Sequence, residues 1–154
     1  MKKLFIITVL SVFALNISAQ ETPALDSVMQ SNYNAEKKAL IKEAIQLNDE
    51  EAKEFWPLYQ EYNNKLQKIN NEIVSLINKN ADKLETLTND EAEDIWEKKM
   101  DLSYDLVKLE KKYFKKMKRV LPAGKVVRYF QAENKIKALM SAQMAVEVPL
   151  MDTK

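Results

Sequence analysis

The stretch of this chain best equipped for chemistry is a run of cations. Lys108, Lys111, Lys112, Lys115, Lys116, Lys118 and Arg119 stand against a lone Glu110, a local excess of six positive charges. Tyr113, Phe114 and Met117 are interleaved with them. Such a surface attracts acidic, partly unfolded chains at long range and then holds their apolar segments, because Met and aromatic side chains adapt to irregular partners. A competing reading of the same residues is helix electrostatics. Asp90, Glu91, Glu93, Asp94 and Glu97 occupy the opposite end of the same segment, an arrangement the helix macrodipole favours by about 0.3–1 kcal/mol per charge. Seven cations exceed what one last turn can use, so the run is the candidate contact with a protein partner. Its apolar counterpart is the set Phe55, Trp56, Tyr59, Trp96, Tyr113, Phe114 and Met117, against which stands the expectation that aromatics at helical spacing form core.

Other chemistry is excluded by composition. The 154 residues include no His and no Cys, so imidazole shuttles, Ser-His and Cys-His nucleophiles, zinc fingers, thiol redox sites and metal sensing by imidazole are ruled out. The single Gly, Gly124, cannot build a phosphate-cradling loop, which needs several positions where backbone approaches phosphate. Met140 and Met144 stand four apart and with Met151 offer thioether sulfur of the kind Cu(I) takes, but Met is also the usual gap-filler of helical cores. Glu50, Glu51, Asp90 and Glu91 cluster where helix capping already accounts for them. No catalytic residue, metal site or cofactor is assigned, and no enzymatic activity is expected.

The elements that position these residues are helical. A first helix is expected from Ala35 to about Gln46, with Leu40, Ile41, Ala44 and Ile45 on one face. Asn48 and Glu51 then form a capping box, the Asn side chain accepting from the third helical N–H while the Glu reaches back. Behind it Ala52, Phe55, Tyr59, Tyr62, Leu66, Ile69, Ile73 and Leu76 repeat at alternating spacings of three and four, a heptad seam. Pro57 interrupts the donors of this helix, at roughly 3 kcal/mol if it stays straight, and predicts a kink. A second box, Thr88 with Glu91, starts a third helix whose stripe is Ala92, Ile95, Trp96, Leu102, Leu106, Leu109, Tyr113, Met117 and Val120. Leu121-Pro122-Ala123-Gly124 ends it, and a fourth helix runs from about Ala123 to Ala145 with Tyr129, Phe130, Ile136, Leu139 and Met140 as its apolar face.

The two boxes superpose at an offset of 40. Leu47 meets Leu87, Glu51 meets Glu91, Ala52 meets Ala92, Trp56 meets Trp96 and Leu66 meets Leu106. Capping explains the polar matches but not the paired Ala and Trp, so the segments read as a repeat whose copies form an antiparallel hairpin. The fold class is therefore all-α, four helices around a long, elongated antiparallel hairpin, probing solvent alone too widely to be stable without the outer helices or a second subunit.

Leu47-Asn48-Asp49-Glu50-Glu51 and Leu87-Thr88-Asn89-Asp90-Glu91 resemble the twice-occurring Leu-Thr-x-x-Gln motif of the Spy/CpxP family of periplasmic proteins. Glu replaces the motif Gln in both copies and Asn replaces Thr in the first, swaps that keep the capping geometry. The resemblance covers roughly residues 35–145 and implies a curved helical homodimer that shields unfolding proteins or senses envelope stress without ATP. Phe55-Trp56-Pro57-Leu58-Tyr59 and Leu121-Pro122 also resemble a branch of small exported proteins linked to extracytoplasmic sigma-factor signalling.

The amino terminus reads as an address. Met1-Lys2-Lys3, the apolar run Leu4 to Leu15 and the small residues Ile17-Ser18-Ala19 form a signal peptide over 1–19, too short to span a bilayer. Residues 20–34 read as a flexible leader, 35–148 as a single helical domain and 149–154 as a tail. Removing 1–19 leaves 22 basic and 23 acidic side chains over 135 residues, a balance that does not suit nucleic acid. The expected protein is periplasmic, homodimeric through the heptad seam or the fourth helix, without stable membrane insertion after cleavage. Two functions are open: ATP-independent holding of unfolded envelope proteins, and a regulatory module docking on a membrane sensor or anti-sigma factor.

Overall fold

The computed structural model describes residues 23–84 and 86–147; the expected signal peptide and tail lie outside the described residues. The fold is all-α, with α1 (Pro23–Ile45), α2 (Asp49–Asn80), α3 (Asn89–Met117) and α4 (Ala123–Glu147), and a 3₁₀ turn at Ala81–Lys83 between α2 and α3. The helical backbone of α1 begins at Pro23, twelve residues before Ala35. Proline suits a first helical position, and no Gly or further Pro interrupts the segment behind it, although it lacks the apolar period that would mark it as helix. The chain divides into two packing units at Lys37, and the unit from Lys37 onward holds the core.

Both capping boxes form. Glu51 N donates to Asn48 Oδ1 at 2.8 Å while Asn48 N donates to Glu51 Oε2 at 3.0 Å. In the second copy Glu91 N donates to Thr88 Oγ1 at 3.3 Å and Thr88 N to Glu91 Oε2 at 2.9 Å. Ahead of the first box, Gln46 takes a left-handed φ of 44° and its N–H closes on Lys42 O at 3.3 Å, ending α1. Lys125 then ties the start of α4 to this turn, its Nζ donating to Gln46 O at 3.2 Å and to Glu51 Oε2 at 2.5 Å. Helix α2 continues through Pro57. Lys53 and Pro57 are both exposed, so the carbonyl that loses its donor lies where water reaches it.

Helices α2 and α3 pair antiparallel, because Glu61 meets Lys116, Tyr62 meets Tyr113, and Ile69 shares a groove with Asp105 and Leu109. The core is Ile41 and Ile45 of α1, Phe55, Tyr59, Tyr62 and Leu66 of α2, Leu109, Tyr113 and Met117 of α3, and Leu121, Val126, Tyr129 and Phe130 around the start of α4. Tyr129 sits at its middle, with ring centroids 5.4 Å from Phe55, 6.2 Å from Tyr62 and 4.8 Å from Phe130. Between Gln67 and Lys108 no described residue is buried. There α2 and α3 cover one another and no third described helix buries them, so apolar residues of the seam such as Ile73, Leu76, Ile95 and Leu102 are only half-buried. On α4 the expected apolar face is likewise buried only at its start: Tyr129 and Phe130 are core, whereas Leu139 and Met140 are 60% and 40% exposed. The α2 seam from Phe55 to Leu66 is consumed inside the chain, which removes it as the expected contact with a second copy.

Candidate protein-binding surface

The seven cations of the run do not act alike. Lys116 is spent on structure: its Nζ lies 3.0 Å from Glu61 Oε2, bridging α3 to α2. Lys108 pairs with Asp105 at 3.0 Å and lies 4.3 Å from the centroid of the Tyr104 ring. Lys118 stands over the Phe114 ring at 5.5 Å. Lys111, Lys112, Lys115 and Arg119 are exposed, and among the described residues no acidic side chain pairs with them. The positive field available to a partner therefore comes from these unpaired cations rather than from Lys108 or Lys116, whose charges adjacent carboxylates offset.

The antiparallel register adds cations the sequence reading missed. Lys65 and Lys68 of α2 face Asp105, Lys108 and Lys112 of α3 across an open groove floored by Ile69 and Leu109. Four ammonium groups from two helices thus flank an apolar strip; two of them are ion-paired, Lys108 with Asp105 at 3.0 Å and Lys65 with Glu61 at 3.5 Å. A second groove, between α3 and α4, is lined by Val107, Glu110, Lys111 and Phe114 on one side and by Val127, Phe130, Gln131 and Asn134 on the other. Lys137 pairs with Glu110 at 3.0 Å beside it. No positions in the sequence announce Lys65 and Lys68 as partners of the run; only the pairing of Tyr62 with Tyr113 fixes that three-residue steps from Tyr62 along α2 bring them beside Lys108 and Lys112.

The apolar candidates separate sharply. Phe55, Tyr59, Tyr113 and Met117 are 0–2% exposed and belong to the core, so they form no part of a surface in this fold. Trp56 is half-buried, stacked edge-on against Phe55 and Tyr59 with Lys38 over its ring at 5.1 Å. Phe114 is half-buried against Phe130. Trp96 alone stands open, 59% exposed. It is accompanied by three residues the sequence reading did not single out: Met100, Tyr104 and Val107 are 49%, 61% and 61% exposed on the same helix.

The capping residues Asn48, Glu51, Thr88 and Glu91 position these surfaces rather than form them, and their carboxylates carry a consequence. Glu51 titrates below its usual value chiefly because Lys125 donates to it, and Glu91 because the Thr88 backbone and hydroxyl do. Glu61 is held down to about 2 by the adjacent Tyr113 hydroxyl and by Lys116. Each is depressed in the folded chain, so the stability it contributes is complete above the unfolded value near 4.5 and is lost as pH falls through the folded one. Thermal melts should therefore hold level from pH 7 to about 5 and drop progressively towards pH 2. A melting temperature that stays constant down to pH 2.5 would contradict this role of the three carboxylates.

Among the described residues, no group of three or more acidic side chains is arranged to hold a metal ion, and no helix is long and apolar enough to cross a membrane. The surfaces are open, and what they can do is bind: cations at the rim, apolar side chains beneath. Compared with known protein families, with characterised proteins and with solved structures, the chain matches none.

Proposed function

We propose that this is an exported, ATP-independent chaperone-like protein of the Spy/CpxP type, which holds unfolded proteins in the periplasm as a homodimer. The observation that carries the reading is the groove between α2 and α3, where Lys65, Lys68, Lys108 and Lys112 surround an apolar floor of Ile69 and Leu109. Long-range attraction to acidic segments comes first, over about 8 Å at physiological salt, and shallow apolar contact follows. An open groove without a deep pocket suits a partner of no fixed shape, since a small ligand would need a concave site that buries most of its surface. Binding of this kind is weak and reversible, because few side chains of the client are fully desolvated.

The mature chain, at near-stoichiometric ratio, should slow the light scattering of an acidic protein diluted from denaturant, and should do so less at 0.5 M salt than at 0.05 M. Unaltered aggregation in the presence of a tenfold excess would remove the proposal.

A further inference from the structure

The solvent side of α3 carries one continuous row. Met100, Tyr104, Val107, Lys111, Lys115 and Lys118 are all exposed and recur at spacings of four, three, four, four and three, so at 3.6 residues per turn they fall within about 80° of arc. Lys118 caps the helix and still has helical backbone. Across the helix from the row lie Leu106, Leu109, Tyr113 and Met117, which belong to the core or pack against it. The row is apolar over its first half and cationic over its second. Val127 of α4, 43% exposed, extends the apolar part, because it lines one groove with Val107 and Phe114.

Charge on this side changes along the helix. Glu93 and Glu97 stand on the arc and Asp101 at its edge, while Lys98 and Lys99 lie off it. Past Leu102 no acidic residue falls on the arc: Asp105 and Glu110 lie to its two sides and are paired with Lys108 and Lys137. Lys111, Lys115 and Lys118 have no acidic partner among the described residues. Glu97 is about 21 Å from Lys111 along the axis at 1.5 Å per residue. That exceeds the screening length of about 8 Å at physiological salt, so the cationic half acts on a charged surface largely by itself.

Such a row fits a plane. Three unpaired cations set out over about 10 Å of helix, with no wall facing them, meet several phosphates side by side and cannot enclose one anion. Lys108 stands over the Tyr104 ring at 4.3 Å and Lys118 over the Phe114 ring at 5.5 Å, which puts an apolar body and a positive charge at the same depth. Aromatic and basic side chains take that arrangement at a headgroup boundary. A stable folded partner would need a larger and better packed apolar area than Met100, Tyr104 and Val107 offer, whereas a lipid surface needs no shape in return.

We infer that the Met100–Lys118 row of α3 is a reversible contact with a bilayer surface rich in anionic phospholipid, Lys111, Lys115 and Lys118 lying on lipid phosphates and Tyr104 and Val107 at the headgroup boundary. The contact is peripheral, since no described helix is long and apolar enough to cross a membrane. It goes beyond the client-holding reading and does not depend on it, because Lys65, Lys68 and Lys112 line the groove towards α2, on another side of α3.

The test is flotation of the mature chain with vesicles of equal parts phosphatidylglycerol and phosphatidylcholine, and with vesicles of phosphatidylcholine alone, at 0.1 M salt. Circular dichroism verifies the helicity of each variant. Wild type should float with the anionic vesicles only and should be released at 0.5 M salt. Each cation near an anionic surface strengthens adsorption about fivefold, so Lys111→Gln/Lys115→Gln/Lys118→Gln should bind at least tenfold more weakly. Lys65→Gln/Lys68→Gln/Lys112→Gln loses the same charge from the groove side and should weaken binding less than threefold. Tyr104→Ser/Val107→Ser changes no charge and should weaken it at least threefold. A wild type that stays off the anionic vesicles overturns the contact and leaves client holding untouched. Equal losses in the two lysine variants also overturn it, because net charge and not the row would then govern binding. Vesicle binding as expected, in a chain that does not slow client aggregation, supports the contact and removes the client-holding reading alone.

Discussion

Glu133→Leu, and separately Lys37→Met, should each lower the free energy of unfolding by about 3–5 kcal/mol, the range for leaving one member of a buried ion pair alone. Glu133 is fully buried and Lys37 is 4% exposed, with Lys37 Nζ 2.6 Å from Glu133 Oε1 and donating also to Asn63 Oδ1 at 2.9 Å. Three helices meet at this ammonium: α1 supplies it, α2 the amide and α4 the carboxylate. Removing the carboxylate strands the cation on one amide oxygen in the interior, and removing the cation strands an anion whose Oε2 already has no hydrogen-bond partner among the described residues. Either charge then bears the cost of having left water without an opposite charge in return. The double variant Lys37→Met/Glu133→Leu removes both charges and should fall within about 1 kcal/mol of wild type or exceed it, since apolar replacements of buried pairs are often neutral or stabilising. Urea unfolding of the four chains forms a double-mutant cycle. Single variants that cost under 1 kcal/mol would show that the pair does not hold α1 to the bundle.

Tyr129→Ala should cost about 3–5 kcal/mol, as for other large aromatic truncations in a packed core. Its ring is fully buried and meets Phe55, Tyr59, Tyr62 and Phe130, each edge-on with centroids 4.8–6.2 Å away. Tyr129→Phe is the informative companion. The hydroxyl of Tyr129 has no hydrogen-bond partner among the described residues, and burial pushes its pKa well up, with Glu133 adding to the shift. Deleting a buried donor that makes no bond removes a desolvation cost of about 1–3 kcal/mol at the expense of little packing. Tyr129→Phe should therefore match or exceed wild type in stability, measured by the same urea midpoint. A loss above 1 kcal/mol in Tyr129→Phe would mean that the hydroxyl is bonded in solution.

The parts of this fold legible in the sequence are those set by near neighbours. Asn48 with Glu51 and Thr88 with Glu91 act over three residues, and both boxes stand where the sequence puts them. Heptad spacing likewise marks Phe55, Tyr59, Tyr62 and Leu66, which do form core. The start of α1 was hidden because residues 23–34 carry no apolar period, and periodicity reports a buried face rather than a helical backbone. The two tryptophans show where local pattern stops. They occupy matching places in the repeat, yet Trp56 is covered by Phe55, Tyr59 and Lys38 while Trp96 lies on the two-layered part of the hairpin and stays open. Cover depends on which third element reaches a helix, and no window of one helix contains that information.

The same limit applies to the candidate site. The cationic run is plain in the sequence, but its division into a structural Lys116 and free Lys111, Lys112, Lys115 and Arg119 needs the position of Glu61, 55 residues away. Lys65 and Lys68 join the site through register alone. Lys37 and Glu133 leave a faint trace, since each stands on an otherwise apolar row, Lys37 with Ile41 and Ile45 and Glu133 with Val126, Tyr129 and Phe130. Opposite charges on two apolar rows point to a buried pair, a signal that could have been used.

The reading of the α2–α3 groove as the place where unfolded chains are held is tested most directly by the affinity of an acidic, permanently unfolded protein for two forms of the mature chain. These are the wild type and the variant Lys65→Gln/Lys68→Gln/Lys112→Gln, compared by fluorescence anisotropy at 0.05 M salt with helicity and dimer content verified. The wild type should bind the unfolded protein and not its folded counterpart, and the variant should bind at least tenfold more weakly. Equal affinity of the two forms, or equal binding of folded and unfolded protein, would contradict the account.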